Sequence, residues 1–155
     1  MEKIYRLLYP MRVVLVTASY EEKDNIMPAA WCYPLSADPP IFGVAISKKR
    51  FTYELIHKSR FYAINLASSA MKDGVKICGS KSGRDNDKFA LTGWKKEKGK
   101  KVTLIAESPA SVECELIDEY EIGDHVIFVG KTINVVKRME AKGLYHKGGD
   151  DFIDI

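Results

Sequence analysis

Apolar and β-branched residues fall along this chain in short runs separated by polar turns. Val13-Val14-Leu15-Val16-Thr17 predicts a buried strand. Tyr20 to Asp24 is a polar turn, and Asn25 to Trp31 returns as a second strand, so the pair predicts a hairpin. Cys32 to Pro40 carries three prolines, each without a ladder donor, and is expected to be a loop. Ile41 to Ile46 predicts a third strand and Phe61 to Leu66 a fourth. Between them Thr52 is expected to cap a helix running to about Lys58, with Glu54 in its positive first turn. Met71, Val75 and Cys78 lie at i, i+4 and i+7 and mark one apolar helical face. Gly79 to Asp87 reads as a loop and Val102 to Ala106 as a short strand. From Ser111 to Tyr120 the alternation of Val112, Cys114 and Leu116 with Glu113 and Glu115 predicts a half-buried strand. His125 to Val136 is a longer one that Gly130 interrupts as a bulge. Strands that outnumber helices and follow short turns favour an antiparallel barrel over a doubly wound sheet.

Length and composition narrow the class. The 155 residues fit one domain, 1–155, and the 46% hydrophobic fraction fits a packed core. No apolar run approaches the ~18 residues that span a bilayer, and the first residues lack a secretory pattern. A cytoplasmic protein is therefore expected. Cys32, Cys78 and Cys114 are too few and too scattered for a disulfide framework or a CxxC metal site, and packing is the expected role of Cys78 and Cys114. The net charge of +3 does not mark a nucleic-acid binder. Lys95 to Lys101 is a basic run broken by Gly99, read as a solvated loop.

Several chemistries are excluded by pattern. There is no GxGxxG after a strand, no Walker spacing in Gly79 to Arg84, no HExxH and no GxSxG. Three polar segments remain. Ser47-Lys48-Lys49-Arg50-Phe51-Thr52 brings hydroxyls, cations and free amides to a helix start, which suits an anion and equally suits a capped helix on a basic surface. In Ser80 to Lys88, glycine permits close approach and Arg84 and Lys88 can meet phosphate, although a polar loop explains the segment as well. In Asn25 to Trp31, the small Ala29 and Ala30 would let a flat ring lie against the backbone.

These segments, in order, resemble the flavin-reductase-like family with the FMN-binding split-barrel fold, and in particular its flavoredoxin-like members. The likeness runs through Tyr9-Pro10 and Val13 to Thr17, Asn25-Ile26-Met27 with Ala30-Trp31, Pro34 with Ser36, and Pro39-Pro40. It continues through Ser47 to Thr52, Ile64-Asn65-Leu66, Ser82-Gly83-Arg84-Asp85 with Asp87-Lys88-Phe89, and Gly123-Asp124-His125 into Ile127 to Gly130. The resemblance implies a mainly β, antiparallel, Greek-key split β-barrel with short flanking helices, and a homodimer with FMN near its interface. It places Asn25, Met27, Ala29, Ala30 and Trp31 along the flavin, Ser47, Arg50 and Thr52 on its phosphate, and Ser82 and Lys88 beside it. It puts His125 near flavin and nicotinamide, and matches Phe152 to an aromatic covering the cofactor. His146 has no assigned role. The implied activity is an NAD(P)H-dependent flavin or ferric reductase. An electron carrier fed by a redox partner protein is the alternative, and a non-enzymatic β-barrel binding module, for instance for nucleic acid, ranks third.

Overall fold

The computed structural model describes all 155 residues. Twelve strands are present: β1 (Met11–Arg12), β2 (Val14–Tyr20), β3 (Lys23–Ala29), β4 (Cys32–Ser36), β5 (Ile41–Ser47), β6 (Phe61–Leu66), β7 (Lys96–Lys98), β8 (Thr103–Ile105), β9 (Ala110–Ile122), β10 (His125–Lys137), β11 (Leu144–Gly148) and β12 (Asp151–Asp154). Helices α1 (Phe51–Ser59), α2 (Lys72–Ser80) and α3 (Lys88–Thr92) flank them. Seven strands form one antiparallel sheet in the order β3-β2-β6-β9-β10-β5-β4, β1, β11 and β12 form a second, and β7 pairs with β8.

The order of the large sheet explains its shape. Its two edge strands, β3 and β4, are consecutive in the chain and only Ala30 and Trp31 separate them. So short a link can join opposite edges only if the sheet curls round until they meet. No ladder joins β3 to β4, which leaves a seam and makes the barrel split. Ala45 N donates to Trp31 O across this corner at 2.9 Å. The seam is where the candidate site lies.

β2 is buried on both faces. Val14, Val16 and Ala18 point into the barrel with Val44, Ile46, Ile64, Cys114 and Phe128. Leu15 points the other way, packing with Val75, Cys78, Phe89 and Leu144 beneath α2 and α3. Double burial gives the continuous apolar run that marks this strand in the sequence.

Several expectations are corrected. The first turn is only Glu21-Glu22, both at positive φ, so β3 starts at Lys23. Ala30 and Trp31 lie outside it. Cys32 to Ser36 is a strand rather than a loop, because β4 is an edge where Pro34 loses no central ladder bond. Thr52 does not cap α1, since Arg50 holds that position without a side-chain bond. Lys95 to Lys101 contains β7 and is not wholly loop. Glu113 is fully buried rather than on a wet face.

The Gly130 bulge is present, with a register shift between Val129 and Gly130. A Cβ at Gly130 would collide with Tyr62 Oη and Cys114 Cβ inside the barrel. Gly130→Ala is therefore expected to destabilise the fold by about 1–3 kcal/mol through overpacking, measured as a lower urea midpoint.

Candidate functional site

A cleft of about 690 Å3 opens at the barrel seam. Eleven of the twelve site residues read from the sequence line it: Asn25, Met27, Ala29, Ala30, Trp31, Ser47, Arg50, Thr52, Ser82, Lys88 and His125. Phe152 does not. It lines an adjoining hollow of about 290 Å3 that shares Pro28, Ala29, Ala30, Gly79, Ser80 and His146 with the cleft.

The cleft wall is electropositive. Lys49, Arg50, Lys81 and Lys88 line it, and no Asp or Glu does. Lys48 is bound to Glu121 at 2.8 Å, whereas Lys49 and Arg50 have no carboxylate partner. Beside them the first turn of α1 has no side-chain cap, so its leading amides are open to an anion. Arg84, expected to face phosphate, instead forms a two-pronged pair with Glu54 at 2.6 and 3.0 Å and packs on the Phe51 ring. That pair straps the 81–87 loop to α1.

Two buried polar side chains stand at the floor. Lys88, at the start of α3, is 4% exposed, and its Nζ donates to Ile26 O at 2.8 Å. Burial pushes its pKa below the ordinary lysine value and the Arg50 charge adds to this, although the Cys78 thiol opposes both. An ammonium has three donors, and one is engaged here. Asn25 Nδ2 donates to Thr52 Oγ1 at 3.0 Å, which leaves the Thr52 hydroxyl proton free to point elsewhere. Asn25 Oδ1 is buried without a partner. A Cβ at Gly83 would overlap that amide, so glycine is what lets the 81–87 loop close on β3.

The opposite wall is aromatic. The Trp31 and His125 rings lie 4.6 Å apart, tilted by 35°. Trp31 Nε1 donates to Tyr9 Oη at 3.3 Å, and the Tyr9 ring lies 5.3 Å from His146, which lies 5.2 Å from Phe152. His125 Nδ1 meets Asp124 Oδ1 at 2.7 Å, and this hydrogen bond holds the Asp124 carboxyl below its usual range. Nε2 of His125 is the ring's open position.

Sequence reasoning singled out the segment Ser80 to Lys88 but gave Ser80 and Lys81 no role of their own, named Tyr9 only within the family likeness, and gave no place to β11 and β12, which carry His146 and Phe152. The Gly148-Gly149 pair, both at positive φ, was the available hairpin signal. The cysteines bring no nucleophile: burial pushes Cys78 up to about 11 and Cys32 up to about 12. No cluster of His, Cys, Asp and Glu is suited to a metal ion.

Fold and site together define a split β-barrel with a cationic, aromatic-walled cleft at its seam. The family model described as "flavin reductase like domain" matches residues 5–153, and the chain belongs to that family. An uncharacterized protein of Pyrococcus abyssi is 40% identical over 137 residues, covering 88% of this chain and 80% of its own length. An uncharacterized protein of Aeropyrum pernix is 37% identical over 160 residues, and the match spans 98% of this chain but only 55% of that protein. Among solved structures, the FMN-binding protein from Thermus thermophilus with bound 1-cyclohex-2-enone is 32% identical with a TM-score of 0.91, covering 99% of this chain and 91% of that one. The same protein with bound p-hydroxybenzaldehyde gives 34% identity and a TM-score of 0.87, covering 95% and 87%.

Proposed function

We propose that this chain is an FMN-binding oxidoreductase that takes a hydride from a nicotinamide nucleotide and passes the electrons on, as a flavin or ferric reductase. The observation that carries this reading is a cleft lined by four cations and no carboxylate, with a buried ammonium on its floor. A flavin mononucleotide needs such a set. Its phosphate suits Ser47, Lys49, Arg50, Thr52 and the open amides of α1. The electron-rich edge of its ring suits the unused donors of Lys88. The orphaned Asn25 Oδ1 is an acceptor awaiting a donor. Relatedness to a protein described as FMN-binding supports the same choice. The cleft volume lies within the ~300–1,000 Å3 usual for such sites.

When bound, the flavin supplies the hydride- and electron-accepting chemistry. The chain's residues bind, orient and polarise. Lys88 holds positive charge where negative charge gathers on reduction, and desolvation strengthens that interaction. Ala29 and Ala30 leave the backbone bare for a flat ring. Trp31 and His125 form a tilted aromatic pair on the cleft wall, and His125 Nε2 is free to hydrogen-bond a nicotinamide carboxamide.

The cleft is open to solvent, and a second subunit would supply the missing wall. An exposed apolar turn supports a homodimer: Ile4, Leu7 and Leu8 are 67%, 83% and 76% exposed. No helix is long and apolar enough to cross a membrane.

The test is anaerobic addition of NADH or NADPH to the FMN-loaded protein, followed at the flavin's visible absorption band. Bleaching at a rate well above that of free FMN supports the proposed function. A bound flavin that does not bleach, yet reduces when a reductase partner is supplied, would replace it with an electron carrier.

A further inference from the structure

The 81–87 loop is held at its two ends and at one polar point between them. It leaves α2 after Ser80 and enters α3 at Lys88, where Asp87 caps the helix by accepting from Ala90 N at 3.1 Å. Its other bonds turn it back on itself: Asn86 Nδ2 donates to Ser82 O at 2.9 Å and Arg84 N donates to Ser82 Oγ at 3.2 Å. Only Arg84 reaches another element through a hydrogen bond or ion pair. Its guanidinium grips both carboxylate oxygens of Glu54 in α1 and lies over the Phe51 ring, 5.2 Å from its centre.

Neither Arg84 nor Glu54 lines the cleft, yet each stands on an element that does. The loop supplies Lys81, Ser82 and Gly83, and the start of α1 supplies Arg50, Phe51 and Thr52. The pair therefore ties two walls of the cleft together from outside it. An arginine–carboxylate fork fixes direction as well as distance, which suits it to hold a loop that has no other polar tie.

We propose that the Arg84–Glu54 pair is a clasp: it keeps the 81–87 loop closed against α1 and so retains FMN as a resident cofactor, not as a freely exchanging substrate. Retention rests on the proposed function, and closure of the loop does not. Arg84 and Glu54 are positioning residues that act through the loop and the helix they join.

The sign of one substitution separates a clasp from direct electrostatics. Glu54→Gln removes a negative charge beside the cationic end of the cleft and leaves Arg84 free to turn toward a phosphate. If Arg84 served the phosphate directly, this variant would hold FMN more tightly. A clasp predicts the reverse. Arg84→Lys keeps the charge and loses the fork, so it should behave as Glu54→Gln does. It also leaves Glu54 in the first turn of α1, and decides the matter if Glu54→Gln destabilises that helix.

Two measurements test this. FMN release is followed as recovery of flavin fluorescence when the loaded protein is diluted. Loop opening is followed in the flavin-free protein as trypsin cleavage after residues 81 and 84, which tracks the population of the open loop. The wild type is expected to release FMN well below the ~10 s−1 of a typical turnover. Each variant is expected to speed both release and cleavage about three- to tenfold, the worth of a well-formed, half-exposed charge pair. The double variant should be no faster than either single one, because all three break one interaction. Slower or unchanged FMN release in Glu54→Gln, unchanged cleavage in the variants, or wild-type release faster than that turnover overturns the proposal. Protein that binds FMN with no effect of the variants loses the clasp alone. Protein that binds no FMN, yet is cleaved faster in the variants, loses the proposed function and retention and keeps the closure.

Discussion

Lys88→Met is expected to weaken FMN binding about 10- to 100-fold, the worth of a hydrogen bond from a charged donor. The same change is expected to leave the flavin-free protein as stable as the wild type or more so. The sign follows from the lowered pKa. A buried ammonium that is harder to protonate in the folded state opposes folding wherever it is charged, and the folded state regains that stability only as pH rises through its lowered pKa. Methionine has similar length and no charge to desolvate, at the expense of one bond to Ile26 O. Affinity by flavin fluorescence and stability by urea denaturation give the two readouts. Lower affinity with unchanged or higher stability identifies a lysine kept for binding. Parallel loss of both would make it a structural residue.

Glu113→Gln is expected to be the most damaging isosteric change in the barrel. The carboxylate is fully buried and accepts from the amides of Lys100, Lys101 and Val102 at 2.8, 2.9 and 3.0 Å, and from Asn134 Nδ2 at 2.7 Å. Glutamine turns an amine toward these donors and leaves at least one unsatisfied. The expected loss is about 3 kcal/mol, or about 6–12 °C in Tm for a chain of this size. Burial pushes the Glu113 carboxyl up, but the Lys101 amide, Asn134 and the neighbouring amides outweigh it and hold the pKa below the ordinary value. Its contribution is therefore full above the ordinary glutamate pKa of about 4.3 and is lost as pH falls through the lowered value. The gap between wild type and variant should be wide at pH 7 and narrow below about pH 4. A gap independent of pH would contradict the charged network.

Which parts were legible in the sequence follows from how local each signal is. β2, β5, β6, β9 and β10 announce themselves because their apolar runs reflect burial that the strand itself carries. Gly130 is readable because no larger residue fits against Tyr62. β4 is hidden, since an edge strand tolerates the Pro34 that would exclude a central one. Alternation assigns Glu113 to solvent, because the segment that covers it, Lys100 to Val102, lies 11 to 13 residues earlier and outside the strand whose pattern is read. The same limit applies at the site. Ser47 to Thr52 and Lys88 could be singled out as anion-binding, because cations, hydroxyls and a helix start are local features. Thr52 as a partner of Asn25, and Arg84 as a partner of Glu54, depend on contacts 27 and 30 residues apart, which no spacing rule reveals. Phe152, matched to the cofactor's cover, lines the hollow that adjoins the cleft, where the β11–β12 hairpin packs it against the cluster that includes Val75 and Cys78.

The account stands most directly on whether the seam cleft holds FMN. Titrating the purified protein into FMN and following quenching of flavin fluorescence measures this in one experiment. The account predicts saturation at one FMN per chain, with an affinity that weakens in Lys88→Met. Flavin fluorescence that stays unquenched at protein concentrations well above that of FMN would contradict it.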